Sequence, residues 1–357
     1  MRNKNNGKAG QLKWTKIIRQ KSLIRRVHFT TPAFFVSKCN KYYICEYKYN
    51  GWMVMNLENI YRCFPKHLKI LLEENILQNQ TEILEEIRIR NGLPIILKLG
   101  QAEKIIDYKT STEDINFIFQ KICENSIYTY QNQIANGFIT IQGGNRVGIV
   151  GTAVVQDGKV TNFNYISSLN FRIGRQIIGC SNQVVDKIVD FTNNRVFNTL
   201  IISMPGFGKT TILRDIIRNI SNGFEFEIAR KFNGVNVAVI DERGEISATY
   251  RGIAQNDLGI RTDVINDIPK AIGMRMAIRS MAPQVIVADE IGSNEDCDCI
   301  EYALNCGVNG IFTAHGKDLE DIKNNVELRN LLDRKVFEKA IIIHQNRKYE
   351  VINVGRL

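Results

Sequence analysis

One short stretch near the middle of the chain constrains the fold more than any other feature. It follows an apolar run, residues 199–203, that favours a buried strand, and it opens a segment of helical periodicity, residues 211–220. In that context the pattern GxxxxGK[ST] predicts a phosphate-binding P-loop, since glycines let backbone N–H groups turn inward at a helix N-terminus. The predicted nucleotide-binding residues are Ser203, Pro205, Gly206, Phe207, Gly208, Lys209, Thr210 and Thr211.

Two residues of this loop are predicted to bind different parts of the nucleotide complex. Lys209 is expected to neutralise the β- and γ-phosphates, and Thr210 to hold Mg²⁺, so the predicted cofactors are ATP and Mg²⁺. The first position of the motif is Ser203 instead of glycine. Because serine has a Cβ atom, we expect slight strain in the turn there.

Acidic residues follow two further apolar runs. Asp289 and Glu290 come after residues 285–288, and Asp241 and Glu245 come at and after the end of residues 235–240. In an open α/β sheet, ligands bind beyond the carboxyl ends of the strands. We therefore predict Asp289 and Asp241 as metal ligands with Thr210, and Glu290 or Glu245 as the residue that activates the attacking water.

A fourth apolar run, residues 310–313, leads to His315, which is placed to sense the γ-phosphate. Several arginines lie between the acidic clusters, and one could act across a subunit boundary as an arginine finger. Among Arg251, Arg261, Arg275 and Arg279 we select Arg261 as the catalytic candidate.

The alternation of strands and helices in residues 196–357 predicts an α/β domain with a mainly parallel sheet. Residues 55–195 predict a mixed α+β domain, with a helical stretch over 56–86, strands at 93–99, 138–141, 146–155 and 168–173, and a helical segment over 113–136. The expected class is thus a P-loop NTPase (RecA/AAA+-like) C-terminal domain preceded by an α+β N-terminal domain.

Residues 1–54 differ in kind from the rest. They contain 12 of the 47 basic residues and one of the 37 acidic residues, so the remaining chain is nearly neutral and its overall charge is no argument for nucleic-acid binding. We interpret this basic extension as disordered or not native to the working protein. Membrane docking and organelle targeting are the alternatives.

Other classes are disfavoured. No run of eighteen apolar residues predicts a spanning helix, and no leader with a cleavage site is visible, so we expect a cytoplasmic protein. The eight cysteines form no CxxC pair and have no histidine among them, which indicates reduced thiols and no zinc site.

As an ordered set, the motifs resemble the stage III sporulation protein AA family of endospore-forming bacteria over about residues 55–345. The matching stretches are 85–90, 143–148, 208–215, 240–243, 259–264, 278–283, 289–292 and 313–316. That family is similar in turn to the ATPases of type II and type IV secretion and pilus systems. In this sequence the corresponding motifs are Lys209 with Thr210, Asp241 to Glu245, Asp289 with Glu290, and His315.

The resemblance implies an ATPase motor that works as a homo-oligomer, a ring hexamer. Its implied partners are membrane proteins of the stage III channel complex, and its implied place is the mother-cell cytoplasm, peripheral to the membrane. An N-terminal domain that closes over nucleotide makes Arg146 and Arg172 candidates to reach it. Two alternatives stay open. One is a nucleotide-dependent scaffold with little turnover, and the other is a nucleic-acid-dependent ATPase, which the neutral body disfavours.

Overall fold

The structure is a computed structural model, and it describes residues 57–77, 80–226, 230–345 and 348–354. They belong to one compact unit that spans Gly51–Leu357. The basic extension, together with Cys39 and Cys45, lies outside the described residues, so what was predicted for it stays a prediction.

The N-terminal part forms an antiparallel sheet, here called the first sheet, with the order β3-β2-β1-β6-β5-β4. Along β1, Ile87 and Ile89 are buried and Arg88 is exposed, because successive side chains of a strand point to opposite faces. The strands are β1 (Leu84–Arg90), β2 (Pro94–Leu99), β3 (Ala102–Lys109), β4 (Phe138–Ile141), β5 (Asn145–Gln156) and β6 (Lys159–Arg172).

Helices contribute to the same core as the first sheet, where Leu68 and Ile118 join Phe171 of β6 among the buried residues. They are α1 (Glu58–Tyr61), α2 (Lys66–Asn75), α3 (Thr112–Ile122) and α4 (Gln131–Ala135), with a 3-10 turn at Ile127–Tyr130. The continuous helix predicted over 56–86 is wrong. Pro65 separates α1 from α2, and the alternating burial of 84–90 makes that segment a strand.

The C-terminal part forms the second sheet, with the order β13-β12-β14-β15-β9-β16-β17. Its neighbouring strands are parallel except for the pair β16–β17. The strands are β9 (Thr199–Ser203), β12 (Val237–Asp241), β13 (Thr262–Asn266), β14 (Val285–Ala288), β15 (Asn309–His315), β16 (Lys339–Ile343) and β17 (Tyr349–Asn353).

Five helices accompany the second sheet: α5 (Lys209–Asn222), α6 (Lys270–Met281), α7 (Asn294–Asn305), α8 (Leu319–Ile322) and α9 (Val326–Asp333). Two small antiparallel pairs, β7 (Val189–Asp190) with β8 (Arg195–Val196) and β10 (Phe224–Glu225) with β11 (Lys231–Phe232), and a 3-10 turn at Val185–Lys187 complete the described elements.

The central strands of the second sheet carry apolar side chains on both faces, because both faces are covered. In β9, Leu200 and Ile202 belong to one core cluster, and Ile201 belongs to the other. Since parallel strands all end at the same edge, β9, β12, β14 and β15 bring the residues that follow them together.

Among the described residues, no helix is both long and apolar enough to cross a membrane. The six cysteines in this part of the chain are free thiols. Burial raises the pKa of Cys63 and Cys123 to about 12, so these thiols stay protonated and unreactive at neutral pH.

Candidate nucleotide-binding site

The predicted P-loop connects the end of β9 to the start of α5. Gly206 and Gly208 have φ angles of 81° and 96°, which only glycine adopts readily. Gly208 occupies the N-cap position of α5, and no side chain caps the helix there. Pro205 is exposed, whereas Phe207 packs against the core that contains Ile201. The loop thus presents backbone amides of a helix N-terminus, which is the geometry that binds phosphate.

The strain expected at Ser203 is absent. Ser203 is the last residue of β9, is fully buried, and is not among the residues with positive φ. Its hydroxyl donates a hydrogen bond to the Met204 carbonyl at 3.1 Å. A Cβ atom is therefore tolerated, because the chain leaves the strand in an ordinary conformation and turns only at the glycines that follow.

Lys209 lies at the centre of the site and is 6 % exposed. Its Nζ atom is 3.7 Å from Glu290 Oε1, 4.0 Å from Asp289 Oδ1 and 3.4 Å from the ring nitrogens of His315. Burial lowers the pKa of Lys209, and the carboxylates of Asp289 and Glu290 oppose that shift. The lysine is thus a buried cation held by acids, ready to exchange them for phosphate oxygens.

Thr210 and Asp289 are placed as the sequence predicts for a metal site. The Thr210 hydroxyl donates to Asp289 Oδ2 at 2.8 Å, and the Thr313 hydroxyl donates to Asp289 Oδ1. Among the described residues, no group of three His, Cys, Asp or Glu side chains could hold a metal ion alone. A hydroxyl beside one carboxylate fits Mg²⁺ that arrives with nucleotide phosphates and keeps several waters.

Asp241 borders the same cleft as Glu245, Asp289 and Glu290, but its carboxylate is already engaged. It is 2 % exposed and accepts hydrogen bonds from Ile246 N at 3.1 Å, Ser247 N at 2.7 Å and Ser247 Oγ at 2.6 Å. These bonds fix the loop after β12. Its predicted role as a metal ligand would require breaking them.

Glu290 is held from three sides. Its backbone is left-handed, with a φ of 55°, and its N–H donates to Thr313 Oγ1 at 2.8 Å. His315 Nε2 lies 2.9 Å from Oε1, and Arg243 Nη1 lies 2.8 Å from Oε2. Burial would raise the pKa of Glu290, but Lys209, His315 and Arg243 outweigh it, so the pKa lies below its ordinary value. A strained backbone at this position is typical of a functional residue.

The first sheet reaches this site through Arg146, one of the two arginines that the family resemblance implied as candidates. Arg146 of β5 lies with Nη1 3.0 Å from Glu245 Oε1, and its Nη2 donates to the Arg243 carbonyl. Its guanidinium also lies over the Phe138 ring, 4.8 Å from the centroid. Arg172, the other candidate, is the cross-strand neighbour of Arg146 and is exposed.

Arg261 is not brought to the site. It precedes β13, at the amino edge of the second sheet, whereas the P-loop lies at the carboxyl edge. Its Nη1 atom donates to the Ser221 carbonyl at 2.8 Å near the end of α5. Arg275 and Arg279 are exposed on α6, and Arg251 pairs with Glu124. Within one chain, Arg261 therefore has a structural role.

The sequence reasoning missed three site residues. Arg243 and Thr313 contact Glu290 and Asp289, and both stood inside motifs that the sequence analysis had singled out. Arg214 follows the P-loop by about one turn, donates to the Arg175 carbonyl at 2.8 Å, and has a buried Nε atom without a partner among the described residues. Burial lowers the pKa of Arg214, opposed by Asp241, Asp289 and Glu245.

A mainly parallel sheet with a P-loop and acids at its carboxyl edge is the architecture of P-loop nucleotide-binding proteins. The structure resembles the ATPase DotB of Yersinia pseudotuberculosis, with a TM-score of 0.51, 15% identity, and coverage of 82% of this chain and 80% of that chain. It also resembles the pilus retraction motor PilT with bound ADP, with a TM-score of 0.51, 16% identity, and coverage of 78% and 82%.

The particular family is equally clear. The chain belongs to the family described as sporulation stage III, protein AA, whose family model matches residues 55–354. It is 36% identical over 286 residues to stage III sporulation protein AA of Bacillus subtilis (strain 168), which covers 80% of this chain and 90% of that protein. The family model begins its match at residue 55 and leaves the basic extension outside.

Proposed function

We propose that this protein binds ATP with Mg²⁺ and hydrolyses it, as the oligomeric motor of a sporulation-specific, secretion-like channel complex. One observation carries the proposal. The buried Lys209 lies at the start of a helix beyond a parallel strand, surrounded by Asp289 and Glu290 after the end of β14 and by His315 at the end of β15. That arrangement suits phosphoryl transfer to water, in which the protein positions the reactants and stabilises developing charge.

Each residue has a task in this proposal. The amides of the P-loop and Lys209 hold the phosphates, and Thr210 and Asp289 hold Mg²⁺, which would neutralise phosphate charge. Glu290 orients and polarises the attacking water, with Glu245 as the second carboxylate, and His315 senses the γ-phosphate. Arg146 of the first sheet would bind phosphate as well, and it would then give up its ion pair with Glu245.

The domain and assembly predictions extend this proposal. Residues 55–195 would form the closing N-terminal domain and residues 196–357 the ATPase domain, with a hexameric ring as the working state. The fold of secretion ATPases supports a ring, and the sporulation family supports membrane proteins of the stage III channel complex as partners. The proposed location is the mother-cell cytoplasm, peripheral to the membrane.

The test measures ATP hydrolysis by the full chain over a series of protein concentrations. Glu290→Gln keeps the shape of the site but cannot polarise water, so turnover should fall at least 100-fold while ATP remains bound. Glu103→Gln is the matched control, because Glu103 is exposed on β3, an edge strand of the first sheet. Lys209→Ala should abolish ATP binding itself.

The outcomes separate the two candidate functions. Turnover that appears at oligomer-forming concentrations and vanishes with Glu290→Gln supports the motor. Equal and negligible turnover in the wild type and the variant, with ATP bound in both, would contradict the motor and support the scaffold. Stimulation by single-stranded nucleic acid with a steep salt dependence would favour the nucleic-acid-dependent ATPase instead.

A further inference from the structure

The loop between β12 and β13, residues 242–261, carries both Arg243 and Glu245 of the site. Its backbone pairing among the described residues is the short bridge between Tyr250 and Ile253. Two of its non-glycine residues, Ala248 and Arg251, have left-handed φ angles of 50° and 49°. Such conformations persist only where surrounding contacts hold them, so something outside the loop must fix its shape.

The near end of this loop is fixed within the second sheet, where Asp241 accepts the amides of Ile246 and Ser247. Its far end is fixed to α5, since Ile260 N donates to Asn222 Oδ1 at 2.9 Å and Arg261 N donates to Ser221 Oγ at 2.8 Å. Between these two ends, the loop is also bonded to the N-terminal part. Gly143 N donates to Gln255 Oε1 at 2.9 Å. Gln176 and Asp257 exchange a pair of bonds at 2.6 Å and 2.8 Å.

A further contact between the loop and the N-terminal part is made by Glu124, two residues after the end of α3. Its carboxylate accepts hydrogen bonds from the Tyr250 hydroxyl and from Arg251 Nη2, and it interacts with the Tyr130 hydroxyl. Burial would raise the pKa of Glu124, but the bonds from Tyr250 and Arg251 outweigh it, so the carboxyl is ionised at neutral pH. Two left-handed residues, Glu124 and Asn125, aim it at the loop.

A cavity of about 390 Å³ adjoins these bonds. It is lined by Glu124, Tyr130 and Gln133 from the N-terminal part, and by Thr249, Tyr250 and Arg251 from the loop. The loop is therefore attached here by a few polar bonds instead of by continuous apolar packing. Polar bonds beside an open space can break without creating a buried void, which makes this attachment adjustable.

From this geometry we infer that Glu124 is a positioning residue for the reaction proposed above: it holds Tyr250 and Arg251, and through the loop it sets the place of Glu245. Four residues lie between Glu245 and Tyr250. Glu245 is itself half-exposed, with Arg146 as its ion-pair partner. Loss of the distant attachment leaves Glu245 with Arg146 and the Asp241 bonds to define its position. This inference rests on the proposed hydrolysis for its kinetic readout only.

The experiment compares Glu124→Gln with Glu103→Gln, a control of identical chemistry on an exposed strand position. Hydrogen–deuterium exchange is followed first, without nucleotide. The amides of Tyr250, Ile253 and Gln255 are bonded inside the loop and should be protected in the wild type. In Glu124→Gln we expect exchange in this segment to be at least fivefold faster, with α5 unchanged. Equal exchange in both variants overturns the inference, whether or not the protein hydrolyses ATP.

The kinetic readout then separates positioning from general instability. We expect kcat to fall about tenfold in Glu124→Gln with KM within twofold of the wild type, since the P-loop is untouched. In a Glu245→Gln background the same substitution should have no further effect. A full tenfold loss in that background would show that Glu124 does not act through Glu245. Tyr250→Phe removes one bond without a charge and should give a smaller change in the same direction.

Discussion

Asp241→Asn distinguishes the two roles that this carboxylate could have. In the structure all three of its hydrogen bonds come from its own loop, two of them to Oδ2 from Ser247 and one to Oδ1 from Ile246 N. An asparagine can keep the pair from Ser247 with its carbonyl oxygen, but its NH₂ group then faces the N–H of Ile246. One buried donor is left unpaired, and the other bonds lose the strength of a charged acceptor.

These terms give a magnitude. An unsatisfied buried donor costs about 1–3 kcal/mol, and exchanging a charged for a neutral acceptor costs about 1 kcal/mol more per bond. With two such bonds from Ser247, we therefore expect the free energy of unfolding to fall by about 3–5 kcal/mol. Urea denaturation of the full chain, followed by circular dichroism, measures it, with Asp263→Asn as the control because Asp263 is exposed on the adjoining strand β13.

A second assay decides the outcome. ATP binding is titrated with Mg²⁺ in both variants. If Asp241 fixes the loop, the variant is less stable and its Mg²⁺ requirement stays within about twofold of the wild type. A stability equal to that of the control, together with a Mg²⁺ requirement raised about tenfold, would refute the loop-fixing argument and make Asp241 a metal ligand.

Three further substitutions have defined outcomes. Asp215→Asn should destabilise the protein by about 3 kcal/mol in urea denaturation, since this fully buried carboxylate accepts bonds from Ser181 and Arg218. Gly208→Ala should weaken ATP binding and cost about 1–2 kcal/mol of stability, because φ is 96° there and the added Cβ meets no neighbour within 4 Å. Burial would raise the pKa of Glu338, but bonds from Arg195 and Asn198 lower it. Its stabilisation is therefore present above the carboxyl's unfolded pKa and lost as the pH falls through the folded one. Glu338→Gln should cost about 1 kcal/mol at pH 7, after discounting for solvent screening, and acid denaturation profiles should show the difference from wild type vanishing below the folded pKa.

The fold was most predictable where the sequence is most uniform. The apolar runs at 199–203 and 285–288 and the strand at 138–141 coincide with β9, β14 and β4. The segment 56–86 failed because its apolar residues fit two periods, and the change from helix to strand lies inside it. β13 was missed because it is an edge strand whose residues are mostly half-buried, so it shows no apolar run.

The site, like the fold, contains residues whose positions could be predicted from the sequence and others whose positions could not. Residues that follow strands could be placed together from topology, and Lys209, Asp289, Glu290 and His315 do lie within contact distance. The place of Arg261 within the chain could not be derived for the same reason that β13 was missed. Without that strand, nothing in the sequence showed that Arg261 precedes it and lies at the opposite edge. The partners of Glu124 and Arg146 depend on contacts across about a hundred residues, which periodicity does not encode.

In the proposed reaction, phosphate entry would remove one of the three charged contacts that hold Glu290. In the structure Glu290 is held by Lys209, His315 and Arg243, so its carboxylate is shared among three groups. Phosphate oxygens would compete for Lys209 and leave Glu290 with the other two. Arg243 belongs to the same loop as Glu245, and Arg146 of the first sheet contacts both the Arg243 carbonyl and the Glu245 carboxylate. The position of the first sheet therefore affects both Glu245 and, through Arg243, Glu290. In the proposed hydrolysis, water would be activated only when phosphate and the first sheet are both in position.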